Sequence, residues 1–131
     1  MERQSKNEKL LQYFKDICRI PRQTGDEETI SQYLLDFAKA RGLQAERDAH
    51  HNVLIRKPST IPGYKGPTVI VQGHMDIVYE KSADSTHKYE DGIHVVEEDG
   101  YLKSADGTSL GADNGLAVAY AMDLLDRNDL P

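Results

Sequence analysis

Two short stretches of the chain carry side chains that could bind a metal ion. The first is Gly73-His74-Met75-Asp76, directly after an apolar, β-branched run. In extended backbone, residues two apart point to the same side, so His74 could ligate a metal while Asp76 supports the imidazole. Polar residues just past the carboxyl end of a central strand are also where open α/β sheets place their sites. Taken alone, the same pattern also describes a histidine in a turn and an aspartate that caps a loop.

The second stretch is Gly111-Ala112-Asp113-Asn114-Gly115, which opens an apolar helical segment. Asp113 could simply cap that helix, because a carboxylate accepts unpaired N–H groups of the first turn and complements the helix dipole. The flanking glycines favour a further role, since a cap needs no close backbone approach, whereas a carboxylate that bridges two cations in a crowded pocket would benefit from it. The residues alone leave both interpretations open.

Two amphipathic helices are predicted before these stretches. Ser5-Lys6-Asn7-Glu8 has the form of a capping box, and the helix that follows it is expected to stop at Pro21. Thr24-Gly25-Asp26-Glu27 has the form of a second box, for a helix that ends before Gly42. The apolar residues at helical spacing are Leu10, Leu11, Phe14, Ile17 and Cys18 in the first helix and Ile30, Leu34, Phe37 and Ala38 in the second.

The rest of the pattern predicts strands and one more helix in an α/β domain. Strand-like runs cover roughly Leu43–Arg47 and Asn52–Lys57, and Thr68–Gln72 has the composition of a strand buried on both faces. After a long loop over residues 80–91, Ile93–Glu97 and Tyr101–Lys103 predict a hairpin that turns at Asp99-Gly100. The segment from Asp113 to about Asp126 is apolar almost all round, which predicts a buried helix.

Length and composition narrow the class of protein. The 131 residues suit one domain, and no apolar run approaches the roughly 20 residues of a membrane span. No signal-peptide core follows Met1, and the single Cys18 cannot form an internal disulfide, so we expect a cytoplasmic protein with a buried structural thiol. The net charge of −6 and the scattered basic residues argue against a nucleic-acid partner.

The two stretches occur together in an arrangement that resembles the M20 metallopeptidases, and within them the aminoacyl-histidine (Xaa-His) dipeptidases. The Gly-Ala-Asp-Asn-Gly motif favours this dipeptidase branch over the tripeptidases and deacylases that share His-Xaa-Asp. The matching motifs run along almost the whole chain: Ile20-Pro21-Arg22, Thr24-Gly25-Asp26-Glu27-Glu28, Asn52-Val53, Val71-Gln72-Gly73-His74-Met75-Asp76 and Thr108-Ser109-Leu110-Gly111-Ala112-Asp113-Asn114-Gly115.

The resemblance implies a fold and a cofactor. The fold would be the N-terminal portion, residues 1–131, of a zinc-peptidase catalytic domain of the phosphorylase/hydrolase type, with a mixed sheet flanked by helices; the rest of that domain and the smaller lid or dimerisation domain would be absent. The cofactor would be a pair of divalent ions, zinc first and cobalt or manganese as alternatives. His74 would ligate one metal, Asp113 would bridge both, and Asp76 would be the catalytic-site carboxylate that orients His74.

In such a site the metals acidify a water molecule and stabilise the oxyanion, while a glutamate acts as general base. In the family that glutamate and the other ligands follow the Asp113 helix, so no general base is assigned in this chain. Glu27-Glu28 and Glu97-Glu98 do not lie at the matching position. The remaining histidines are expected to be surface or loop residues: His50, His51, His87 and His94.

The predicted function is therefore the metal-dependent hydrolysis of dipeptides by a parent enzyme, with this chain inactive alone. Two alternatives stay open: an M20-like amide deacylase, and a non-catalytic α/β module that binds an anion where the last helix begins. Against the second, the Asp113 carboxylate would repel an anion and no Gly-Lys-Ser/Thr ending is present. A small dipeptide is the expected partner, and self-association or strand exchange is expected at an open strand edge.

Overall fold

The computed structural model describes the backbone of residues 2–131 and the side chains of residues 7–131. A short 3-10 turn, Tyr89–Asp91, lies in the long connection between the second and third strands. The helices and strands, in chain order, are α1 Glu2–Cys18, α2 Glu28–Ala40, β1 Gln44–Arg47, β2 Val53–Arg56, β3 Val95–Glu98, β4 Tyr101–Ser104 and α3 Ala112–Asp126.

The core lies where α1 packs against α3, and side chains of α2 complete it. Its apolar side chains come from the faces that helical spacing predicts for α1 and α2, which confirms those two helices. The rings of Tyr13 and Phe37 meet edge to face with centroids 5.6 Å apart. Each such side chain, once buried, contributes about 1.5 to 3 kcal/mol. The core residues that are almost completely buried include Phe14, Ile17, Ile30, Ala119 and Met122.

Both predicted capping boxes are wrong. Helix α1 already includes Ser5, whose side chain lies outside the described residues, so the helix begins before the predicted cap. Helix α2 begins at Glu28 without a side-chain cap. Instead, Glu27 accepts a hydrogen bond from the Gly25 N–H at 2.7 Å, and the hydroxyl of Thr24 donates to Asp76. The second box fails because a long-range partner competes for the threonine.

The predicted hairpin and the two predicted strand-like runs before it are confirmed, with strand ends shifted by one or two residues. Strand β1 pairs antiparallel with β2, and β3 pairs antiparallel with β4. Asp99 and Gly100 both have positive φ, as a tight two-residue hairpin turn requires. The two pairs form separate two-stranded sheets among the described residues, rather than parts of one sheet.

The prediction of a buried strand at Thr68–Gln72 is wrong for this structure. No strand is found there, and the described backbone offers it no ladder partner. Val69 and Ile70 are 78% and 84% exposed. Composition alone cannot supply a neighbouring strand, and burial on both faces needs one on each side of the sheet. An apolar segment of this kind is a surface that pairs readily with another chain.

Helix α3 is confirmed, but its burial is one-sided. The side that faces α1 is buried through Val118, Ala119 and Met122, whereas Tyr120 is 54% exposed. The expectation of burial all round is therefore wrong among the described residues, because neighbours cover only one side of the helix. Cys18 is buried, as predicted, and burial raises the pKa of its thiol. Among residues 2–131, no helix is long and apolar enough to cross a membrane.

The carboxylate of Asp126, at the end of α3, joins side chains from the middle of α1 and from just past α2. Arg41, just past α2, donates from Nε to Asp126 Oδ1 at 2.7 Å, and its guanidinium lies over the ring of Phe37. Lys9 Nζ lies 2.5 Å from Asp126 Oδ2, and the Tyr13 hydroxyl donates to the same oxygen. Burial raises the pKa of Asp126, but these three donors outweigh burial and hold it well below its usual range.

Replacing Asp126 with asparagine is expected to lower the free energy of unfolding by about 1 kcal/mol near neutral pH, after allowing for solvent screening. The folded-state pKa is depressed, so the stabilisation is present above the unfolded carboxyl pKa of about 3.9 and is lost as the pH falls below it. Urea denaturation followed by circular dichroism measures this difference. Asp123→Asn, on the same helix, is the control. If Asp126→Asn were destabilised by the same amount in acid as at neutral pH, the charge of Asp126 would not be the source of the stabilisation.

Candidate metal centre

His74, Asp76 and Asp113, the three residues predicted for the site, are brought together. His74 Nε2 lies 3.1 Å from Asp113 Oδ1, although 39 residues separate them in the chain. On the other side of the ring, Nδ1 lies 3.0 Å from the Asp76 carbonyl oxygen and 3.2 Å from Asp76 Oδ1. The imidazole therefore stands between two carboxylates, each facing a different ring nitrogen.

The charges at this site reinforce one another. Partial burial lowers the pKa of His74, but the hydrogen bonds to the Asp76 carbonyl and the Asp113 carboxylate outweigh it and raise the pKa. The pKa of Asp76 is lowered, chiefly by the hydrogen bond that the Thr24 hydroxyl donates to its Oδ2 at 2.6 Å. The site thus favours a negative Asp76 beside a ring nitrogen that carries a proton.

Asp113 does not act as the helix cap that one interpretation of the sequence allowed. Its φ and ψ of −91° and 100° are not helical, and the cap position is Gly111, without a side-chain capping bond. The Asp113 side chain is 93% exposed and contacts His74. A capping carboxylate would instead accept a backbone N–H of the first helical turn. The geometry therefore favours the interpretation as a ligand.

Arg22 ties together the two segments that bear these side chains. Arg22 is 1% exposed, and its guanidinium donates from Nη1 to the Met75 carbonyl at 2.8 Å and from Nη2 to the Gly111 carbonyl at 3.2 Å. Burial lowers the pKa of this guanidinium. One side chain thereby fixes the position of the His74 loop relative to the backbone just before Asp113. The sequence contained Arg22 within a matching motif but gave no reason to assign it a role.

The glycines around Asp113 are explained by this arginine. Gly111 has a φ of +80°, and a Cβ there would lie 2.9 Å from Arg22 Nη2. A Cβ on Gly115 would lie only 2.6 Å from the same nitrogen. The close approach that the sequence suggested is therefore real, but in this structure the neighbour is a guanidinium rather than a pair of cations.

Backbone hydrogen bonds also connect the His74 loop to the loop that precedes α2. The Ile77 N–H donates to the Arg22 carbonyl at 3.0 Å, and the Thr24 N–H donates to the Ile77 carbonyl at 3.1 Å. Nearby, the Tyr89 hydroxyl donates to Asp26 Oδ2 at 2.6 Å, and burial together with this carboxylate raises the pKa of Tyr89 to about 12. The residues after Pro21 are thus part of the site's support, a role that helical patterning cannot reveal.

The donor set partly fits a divalent metal ion. Two ligands of one tetrahedral zinc ion, each bonded at about 2.0 to 2.2 Å, lie about 3.3 to 3.6 Å apart. His74 Nε2 and Asp113 Oδ1 are slightly closer, at 3.1 Å. Asp76 faces the opposite nitrogen, so it cannot share that ion. Among the described residues, no three His, Cys, Asp or Glu side chains are grouped so that they could hold a metal. The fit is therefore that of two ligands.

The other histidines lie outside this group. His94 pairs with Asp106, its Nδ1 3.0 Å from Oδ2, at a separate exposed place. His87 is buried, with Nδ1 2.7 Å from the Tyr79 hydroxyl and Nε2 facing the Gly92 carbonyl, so it is a loop residue as expected but not a surface one. It is buried because its ring nitrogens find partners within the long loop.

An open groove of about 890 Å³ borders the site. His74 and Asp76 lie on its wall together with residues of β2, residues 71–75 and one side of α3. Apolar side chains such as Val71 and Met122 form much of the lining. The groove joins polar groups at the site to an apolar surface, which is the usual composition of a small-molecule site.

Comparisons with known proteins identify dipeptidases as relatives of this chain. No family model matches the chain. The cytosol non-specific dipeptidase of Escherichia coli (strain K12) is 38% identical over 116 residues, which are 88% of this chain and 24% of that protein. The crystal structure of aminoacylhistidine dipeptidase from Vibrio alginolyticus matches with a TM-score of 0.86 and 34% identity, over 92% of this chain and 24% of that one.

These relatives define the class: the homologues of this chain are dipeptidases, which are hydrolases that act on peptide bonds. The chain is a homologue of part of such an enzyme, which confirms the resemblance to the aminoacyl-histidine dipeptidases, and its helices and small sheets match part of that fold. It spans about a quarter of the length of each relative.

Proposed function

We propose that this chain supplies part of a two-metal site for the hydrolysis of dipeptides, of the Xaa-His type or a broader set. His74 and Asp113 are the metal ligands, and Asp76 is the supporting carboxylate. The observation that carries the proposal is the approach of His74 Nε2 to Asp113 Oδ1 at 3.1 Å, with the opposite ring nitrogen held by Asp76. The homology to dipeptidases supports the reaction class.

The roles follow from the chemistry of these groups. The Asp76 carboxylate accepts a hydrogen bond from the Nδ1–H of His74, so that the lone pair of Nε2 would be available to a metal, the arrangement usual for ligating histidines. Asp113, exposed and negative, offers a second oxygen with which to bridge two ions. A bound divalent ion would polarise the scissile carbonyl as a Lewis acid. The groove beside His74 gives a small peptide access to that point.

We also propose that the remaining metal ligands and the general base are supplied by the part of the parent enzyme that corresponds to the unmatched three quarters of the relatives. Two protein ligands hold zinc weakly, since a catalytic zinc site generally has about three. The exposed apolar residues at 69–71 support the same proposal, because further strands of a larger domain would cover them.

The proposal predicts that this chain binds zinc or cobalt(II) weakly and that His74→Ala lowers the affinity by at least about 10-fold, which is about 1.4 kcal/mol. Asp113→Asn is expected to act similarly, because it removes the anionic oxygen. Isothermal titration with the metal salts measures both. The same variants, in a chimaera where this chain replaces the matched segment of the Escherichia coli dipeptidase, are expected to abolish dipeptide hydrolysis.

His94→Ala is the matched control, because His94 also lies about 3 Å from an aspartate but outside the site. It should leave both metal affinity and hydrolysis unchanged. Equal losses in His94→Ala and His74→Ala, or a hydrolytic chimaera that survives His74→Ala, would rule out the assignment.

A further inference from the structure

Thr24 lies beside the proposed metal site without being one of the expected ligands. Its hydroxyl donates to Asp76 Oδ2 at 2.6 Å. Its own N–H donates to the carbonyl of Ile77, the residue after Asp76, at 3.1 Å. The backbone of Thr24 is therefore attached to the loop that its side chain contacts, which fixes the hydroxyl relative to the carboxylate.

The two oxygens of Asp76 have separate partners. Oδ2 accepts from Thr24, and Oδ1 lies 3.2 Å from His74 Nδ1. A carboxylate held at one oxygen cannot rotate without breaking that bond, so Thr24 determines which oxygen faces the imidazole. Without the hydroxyl, Asp76 loses the strongest of its hydrogen bonds and keeps those to His74 and to its own backbone, and its side chain is accessible to water. A flexible carboxylate then competes poorly with water for the imidazole N–H.

We propose that Thr24 is a positioning residue, whose hydroxyl fixes Asp76 so that Asp76 holds the Nδ1–H of His74 and Nε2 faces Asp113. This inference rests on the proposed function, because a fixed orientation of the His74 ring matters most if His74 is a metal ligand. Outer partners of ligating histidines typically change metal affinity by about 10- to 100-fold. Thr24 acts one step further out, so the lower end of that range is expected.

The test compares Thr24→Val, which keeps the shape and removes the hydroxyl, with Thr24→Ser, which keeps the hydroxyl. Thr29→Val, an exposed position early in α2, is the control for the substitution itself. The first measurement is the ring nitrogen NMR signals of His74 in metal-free protein, at alkaline pH where the ring is neutral. The second is the zinc and cobalt(II) affinity by isothermal titration.

Thr24→Val is expected to move the His74 ring signals toward those of an imidazole that exchanges between both tautomers, and to weaken metal binding by about 10-fold. Thr24→Ser should restore both, and the midpoint of unfolding should change little because the backbone bonds remain. Unchanged ring signals in Thr24→Val, or equal changes in Thr24→Ser, would overturn the proposal. A wild-type chain that binds no metal would reject the proposed function in this chain, while the ring signals would still decide the role of Thr24.

Discussion

Replacing Arg22 with alanine is expected to lower the free energy of unfolding by about 3 kcal/mol, because it empties the space of a large buried side chain and removes the donor to the Met75 carbonyl. The loss is partly offset, since a buried charge itself costs free energy. For a domain with a total stability of about 5 to 15 kcal/mol, this is a large share. Urea denaturation measures it.

Arg22→Met separates the two contributions, because methionine fills most of the volume without donating a hydrogen bond. We expect it to recover about half of the stability lost in Arg22→Ala, so that packing and hydrogen bonding are seen separately. Neither variant should keep the wild-type metal affinity, since both release the His74 loop from the backbone at Gly111. Arg22→Met with wild-type affinity would mean that the guanidinium does not set the geometry of the site.

Gly115→Ala is expected to destabilise the chain by about 2 kcal/mol, although alanine is the better helix former by about 1 kcal/mol. The new Cβ would lie 2.6 Å from Arg22 Nη2 and 3.3 Å from Nη1 and Cζ. The guanidinium cannot simply move away, because two carbonyls hold it. Helix propensity therefore predicts that Gly115→Ala raises the free energy of unfolding, whereas packing predicts that it lowers it. A urea denaturation curve distinguishes the two.

The same substitution in the Arg22→Met background supplies the control. Methionine has a flexible end that can give way, so the cost of Gly115→Ala should fall by about 1 to 2 kcal/mol, a coupling typical of residues in contact. Additive effects, or a Gly115→Ala protein more stable than the wild type, would show that the contact is not the reason for this glycine.

The sequence predicted those residues of the site whose side chains are typical metal ligands or their supporting carboxylates. His74, Asp76 and Asp113 were identified from residue type, spacing and motif order, and the structure brings them within hydrogen-bonding distance. Arg22 and Thr24 were not, because their contacts are with a loop more than 50 residues away. An arginine donating to carbonyls and a threonine donating to a carboxylate leave no periodic signal in the sequence.

The sequence by itself determined the helices, the four short strands with one of their two hairpins, the buried thiol and the candidate ligands. Each of these depends on local periodicity, turn chemistry or donor type. Tertiary structure decided which of those segments contact one another. It turned Thr24 from a cap into a partner of Asp76, left the apolar run at 68–72 unpaired, and placed a buried arginine between the two halves of the proposed metal centre. These outcomes depend on distant neighbours, and a hydrogen bond or a covered face forms only where the fold supplies its partner.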